Sequence, residues 1–215
     1  LKDRVSIIDV PDLDALRQNI ADINSKILAD FVGLIRAGDK LSDLALYEYA
    51  AQIELYPNLQ ALYSDEDIQT NTGEHEAPCF KTDWNLELFL AQNYIGNLSL
   101  FSRELFADTL SQIKTGEGEE ALGFRALAYL NPKEIRHIAK VLYHRHPTDA
   151  PLSWMYRSNE LVREYLDKKE INAELSLSND IWIKVRYALP IKLPLVSIII
   201  PTRNRPDLLG KCPVS

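Results

Sequence analysis

The sequence predicts an α/β fold, with a mixed sheet flanked by helices, and three observations carry this. β-rich runs at residues 4–10, 30–35, 59–64 and 135–144 are interleaved with segments of helical period. Such alternation implies a layered sheet-and-helix architecture. The 215 residues are 46% hydrophobic, enough for a sizeable core.

Each element follows from local chemistry. Residues 4–10 (RVSIIDV) read as a strand closed by Pro11. Over residues 12–28, Leu13, Leu16, Ile20, Ile23 and Ile27 recur every three or four positions, which predicts a helix. Residues 30–35 (DFVGLI) read as a buried strand. Ser42 is placed to cap a helix whose inner face carries Leu46, Ala50 and Ile53 and which Pro57 ends. Residues 59–64 form the next strand, with an acidic cluster at its C-terminal end. Residues 68–78 make a loop or hairpin around Gly73. Helices are expected at 85–92, 103–113 and 119–130, with a strand at 98–101 before the second. A long strand follows at 135–144. Residues 153–169 form an amphipathic helix with Leu161, Tyr165 and Leu166 on one face. Residues 181–187 alternate as a strand does. Pro190 and Pro194 mark a linker, and the β-branched run 196–200 suits a central parallel strand.

Charge and cysteine usage narrow the function. A net charge of −7 disfavours a general nucleic-acid binder and wholesale adsorption to anionic lipid. Cys79 and Cys212 lie far apart without a CxxC pairing, which fits reduced thiols in a cytoplasm and gives no zinc signature. Cys79 reads as a small buried hydrophobe. No apolar run is long enough to span a bilayer.

Asp65-Glu66-Asp67 carries the first chemical signal. Three adjacent carboxylates repel one another, so solvent, a metal or a polyhydroxylated ligand must compensate them. Two readings stand: a solvated turn, or a site for sugar hydroxyls or a metal-bound nucleotide. Trp84 fits a sugar-stacking platform or a core position. Asn93 fits an acceptor cleft or a strand entry. His75 reads as a loop residue and His137 as a packing residue.

The order of motifs adds to these readings. Tyr63-Ser64-Asp65-Glu66-Asp67, Phe80-Lys81-Thr82-Asp83-Trp84, Asn93-Tyr94-Ile95-Gly96, Val141-Leu142-Tyr143-His144 and Val196-Ser197-Ile198-Ile199-Ile200-Pro201 follow one another as in the family 2, nucleotide-sugar-dependent glycosyltransferases. The resemblance is to the tandem-module, rhamnosyltransferase-like enzymes that build bacterial surface polysaccharides such as O-antigen. It covers most of residues 1–170 and resumes at 182–212. Thr82 and Ala139 stand where the family has proline, Asn97 where it has histidine, and Arg145-His146 where it has Trp-Arg.

The resemblance implies a partial GT-A (Rossmann-like) fold. Residues 1–170 would be the C-terminal part of one glycosyltransferase domain, lacking its first nucleotide-binding strands. Residues 171–195 would be a linker with a short strand, and 196–215 the first strand and loop of a second module. It implies a nucleotide-sugar donor, a glycan acceptor and a divalent cation, Mg²⁺ or Mn²⁺, neutralising the leaving diphosphate. Asp39 and His144 would hold the metal. Glu119 would be the base. Arg36, Asp65, Glu66, Asp67, Trp84 and Asn93 would meet the nucleotide-sugar and sugar. Asp39, Asp65, Asp67, Glu119 and His144 are expected to converge at the strand C-termini.

Two segments depart from the family pattern. Where it reads LLDHDDEL, this chain has Leu34-Ile35-Arg36-Ala37-Gly38-Asp39-Lys40-Leu41, with one carboxylate left; this implies weakened or lost metal binding, with Arg36 able to neutralise diphosphate instead. Where it reads GSQDYDLxLR, this chain has Glu119 and Ala121 in place of two aspartates. Glu119 fits a base or a solvated helix start.

The expected activity is sugar transfer to a growing cell-surface glycan by the intact parent, in the cytoplasm or peripheral at the inner membrane face, with the chain alone inactive. The alternative is a degenerate, non-catalytic module serving as scaffold for an active neighbour. A metal-dependent phosphohydrolase using Asp65 and Asp67 is disfavoured, because no His and Asp set stands at ligand spacing. An unpaired edge at 31–36 would invite self-association, and the 196–200 run is of the kind to fill it.

Overall fold

A computed structural model describes residues 5–18, 29–147, 159–178, 182–201, 203, 204 and 210. Its centre is a six-stranded mixed sheet of β1 (Phe31–Gly33), β2 (Lys40–Leu41), β3 (Ala61–Gln69), β4 (His75–Cys79), β5 (Ser99–Ser102) and β6 (Ile135–Arg145). The order is β1-β5-β3-β6-β2. β6 runs parallel to β3 along one edge. The other edge is shared: β5 pairs with Ala61–Tyr63, and β4 returns antiparallel from Glu66 onward. Strands β7 (Ala173–Ser178) and β8 (Trp182–Tyr187) form a separate antiparallel pair.

Alternation along β3 sends its side chains to two cores. Ala61 and Tyr63 join the larger one, with Phe89, Phe106, Leu122, Phe124 and Leu166. These come from α3 (Leu86–Ala91), α4 (Arg103–Ser111), α5 (Glu119–Leu127) and α6 (Asn159–Lys168). Leu62 joins the smaller core, with Ala45, Tyr49, Leu142 and Tyr143. Here α2 (Ala45–Leu55) covers the sheet. A further helix, α1 (Leu13–Gln18), puts Leu16 into the larger core.

Local signals explain the helix ends. The side chain of Asn85 accepts from Leu88 N at 3.0 Å to cap α3, and Ser102 does the same for Leu105 N on α4. A capping box on Asn131 and Glu134 sets the short 3₁₀ turn that feeds β6. The β3–β4 hairpin turns at Gly73, whose φ of +89° favours glycine. There Thr70 N donates to Glu74 O at 2.8 Å.

Several expectations are corrected. Residues 5–10 form no strand, and Ile7 is 92% exposed; β-propensity without a neighbouring strand to pair with does not make one. The helix expected over 12–28 is α1 as far as Gln18; residues 19–28 lie outside the described residues, as do residues 153–158 of the helix expected over 153–169. The inner face of α2 carries Ala45, Tyr49 and Ile53 rather than Leu46 and Ala50, which are exposed. Leu44, not Ser42, is its N-cap residue, without a side-chain cap. β1 is half-buried at Phe31 and Val32, as an edge strand is. Residues 196–200 pair with no described strand, and Ile198 and Ile199 stand in solvent. β7 has the alternating pattern of a strand but was not anticipated.

Phe89 is fully buried, with its ring centroid 5.6 Å from Phe124 and 4.9 Å from Trp84. Phe89→Ala is expected to destabilise the chain by about 3–5 kcal/mol, read as a lowered midpoint in urea unfolding.

Candidate functional site

The acidic cluster lies inside β3, not at its end, and is buried. Asp65, Glu66 and Asp67 are 4%, 0% and 7% exposed. That excludes a solvated turn and raises the question of what compensates each charge. The protein's own groups do.

Asp65 Oδ1 accepts from the Lys81 backbone N at 2.9 Å and lies 2.8 Å from His137 Nε2. His137 stacks on Tyr63, with centroids 4.9 Å apart, and its Nδ1 lies 3.2 Å from Asp83. It therefore ties two carboxylates together as well as packing.

Glu66 points into a sealed charge cluster. Lys81 Nζ donates to its Oε2 at 3.0 Å, and Asn97 N to the same oxygen at 3.3 Å. Arg145 Nε pairs with Oε1 at 3.1 Å, in a geometry short of a hydrogen bond. Lys81 Nζ also donates to Ile95 O. Gly96 has φ +79°, and a Cβ there would overlap Glu66 Oε2 and come 2.9 Å from Lys81 Nζ. Only glycine fits both the backbone and the packing.

Asp67 stands beside His144 in the β3–β6 register. Its Oδ1 accepts from His144 Nδ1 at 2.6 Å and its Oδ2 from His75 Nδ1 at 2.8 Å. The tautomer of His75 follows from its neighbours. Lys40 Nζ, which only donates, bonds Gln69 Oε1 at 2.8 Å. The Gln69 amide then donates to His75 Nε2 at 3.2 Å, leaving the proton on Nδ1 for Asp67. His75 is thus a site residue that its position in a turn-rich stretch concealed. His144 also lines a polar cavity of about 360 Å³ with Lys40, Thr70 and His146.

The other candidates take separate places. Asp39 accepts from His146 N at 2.8 Å and from the Tyr143 hydroxyl. Arg36 Nε lies 3.3 Å from Glu119 Oε2 in a half-exposed pair. Trp84 is half-buried against Phe89. Asn93 is buried, and no described residue bonds its Oδ1. Of the four acids and one histidine expected to converge, Asp67 and His144 meet directly. Among the described residues, the metal-ligand-type group of three or more is Asp67, His75 and His144, with ligand atoms within 4.8 Å of one another. Asp39, with both oxygens engaged, does not join His144 there.

No family model matches the chain. Over 189 residues, 84% of the chain, it is 32% identical to the O-antigen biosynthesis protein RfbC of Myxococcus xanthus. Over 191 residues, 83% of the chain, it is 28% identical to an uncharacterized protein of Sinorhizobium fredii. The chain spans 15% and 21% of those two proteins' lengths. Among the described residues, no helix is long and apolar enough to cross a membrane.

Two outcomes follow from this geometry. Gly96→Ala should cost about 3 kcal/mol in chemical denaturation, since it forces a positive φ on alanine and disturbs a buried ion pair. Burial pushes the phenols of Tyr49, Tyr63 and Tyr143 well above their ordinary value, with the Asp39 bond adding to the effect at Tyr143. Their contribution to stability is full below about pH 10 and is lost as pH rises further, because the unfolded chain releases these protons first. Ultraviolet difference spectra should therefore show these tyrosines ionising only together with loss of far-ultraviolet circular dichroism.

Proposed function

We propose that this chain is part of a nucleotide-sugar-dependent glycosyltransferase that builds a cell-surface polysaccharide. The observation that carries the reading is the 32% identity, over 84% of the chain, to an O-antigen biosynthesis protein. The geometry supports it. The segments around Asp65, Lys81, Gly96 and Arg145, spread over some eighty positions, are tied through Glu66 into one cluster beside the polar cavity. In this reading, Asp65, Glu66 and Asp67 shape the site that meets the nucleotide-sugar and acceptor, rather than lying open as ligands. Trp84 and Asn93 border the acceptor side, and Glu119 takes the acceptor proton.

A second reading has a specific observation behind it. Arg36 faces Glu119, so a cation pairs with the residue in the base's place, and Asp39 is spent on Tyr143 and His146. Such positions suit a non-catalytic module that supports an active neighbour. Asp39 would have to give up two hydrogen bonds before serving a metal-bound donor, and the chain by itself is expected to be inert.

Deleting the coding region should shorten or abolish the surface polysaccharide seen on gels; an unchanged profile removes both readings. Glu119→Gln in the protein that carries this sequence separates them. A loss of turnover of about a hundredfold or more marks the base, in the range typical of general-base removal; turnover within about twofold marks the scaffold. Calorimetric titration of the chain with UDP- and dTDP-sugars in Mn²⁺ should show no micromolar binding.

A further inference from the structure

We infer that Asp67, His75 and His144 form a binding site for a borderline transition-metal ion of the Zn²⁺ class. The site does not depend on the glycosyl-transfer reading, and it differs from the Asp39 and His144 pair that the family resemblance implied.

The inference starts from backbone register. Asp67 on β3 lies directly beside His144 on β6, and Gln69, two residues along β3, lies opposite His75 on β4. Three adjacent strands thus present one carboxylate and two imidazoles to a common point. Their ligand atoms lie within 4.8 Å of one another, and the two imidazole centroids are 4.5 Å apart. Groups held on strands are placed more firmly than groups on loops.

The donor set selects the ion. Two imidazole nitrogens and one carboxylate suit Zn²⁺, Co²⁺ or Fe²⁺ and leave positions open for water or substrate. Mg²⁺ prefers oxygen ligands, and this site offers one carboxylate. Both Nδ1 atoms already face Asp67, at 2.6 and 2.8 Å. Ligands of one zinc ion stand roughly 3.3 Å apart for bonds near 2.0–2.1 Å. The His144 pair must therefore open by about 0.7 Å and the His75 pair by about 0.5 Å. The hairpin permits this, because the His75 side chain is 46% exposed.

An outer partner is also in place. A metal-bound imidazole donates its other N–H to a nearby acceptor. Gln69 stands at that position on His75 Nε2. On binding, the protons on Nδ1 of His75 and of His144 both move to Nε2 of their rings by exchange with solvent, which frees each Nδ1 lone pair for the ion. The Gln69 amide turns over so that Oε1 accepts from His75 Nε2, and Lys40 releases Gln69. His144 also lines the polar cavity, through which water or a small ligand would reach an ion held there.

The test uses the chain itself, titrated with Zn²⁺ against a chromogenic chelator and with Co²⁺ by visible absorption. One equivalent should bind with micromolar or tighter affinity, and Co²⁺ should give d–d bands without a thiolate charge-transfer band. His75→Asn and Asp67→Asn should each weaken binding at least tenfold. Gln69→Leu should weaken it by about tenfold, the lower range for outer-shell partners. Asp39→Asn should leave it unchanged. His75→Asn alters an exposed hairpin residue, and circular dichroism checks that the variant folds. The inference is overturned by absence of stoichiometric binding, by binding undiminished in folded His75→Asn, by binding lost in folded Asp39→Asn, or by a thiolate band that reports Cys79 instead.

Discussion

The buried carboxylate of Glu66 is the constraint on which the rest of the structure depends. It is fully enclosed, so it must be neutralised within the protein. Lys81 and Arg145 supply the charge, and Asn97 N supplies a hydrogen bond. Removing one member of such a buried pair costs about 3–5 kcal/mol, because it strands the other charge. That penalty fixes the Lys81 loop, the loop through Ile95 and Gly96, and the C-terminal end of β6 against the middle of β3. The candidate site is built on those four pieces.

With Glu66 satisfied inside the sheet, its neighbours are free to serve other partners. Asp65 holds the Lys81 backbone and His137. Asp67 meets two imidazoles, of which His144 also lines a polar cavity. Adjacent carboxylates in one strand therefore act in three ways: one locks the fold, one anchors a loop, and one faces groups that can exchange a proton or a ligand. The pair between Arg36 and Glu119 differs in kind. It is solvent-screened, contributes ~0–1 kcal/mol, and can part without unfolding anything.

Much of the fold was legible in the sequence because its signals were local. Helical period marked α1 and the inner face of α6, and Gly73 marked the hairpin turn. Local signals failed where a missing partner decides. The run at residues 5–10 has strand composition but pairs with no described strand. The acidic triplet read as a possible turn because charge usually means exposure; its compensators lie 8 to 79 positions away in sequence and were not recognisable as such. His75 was hidden by the polar residues around it. Ala139, conversely, acquires a meaning. It stands where the resembling family has proline, and β6 bulges there, since Ser64 pairs with Ile138 while Asp65 pairs with Val141. A bulge is where a strand interior accepts proline.

The exposed run from Leu195 to Ile200 bears on how copies of this chain meet one another. Its apolar side chains are unpaired, β-branched for the most part and carry no charge, a composition that nucleates cross-β stacking between molecules. Pro194 and Pro201 bracket it, and Pro190 stands a turn earlier. Proline offers no N–H to a growing ladder, so it acts as a gatekeeper at each end of the run. The adhesive stretch is thereby held to six residues, near the minimum length of a steric zipper.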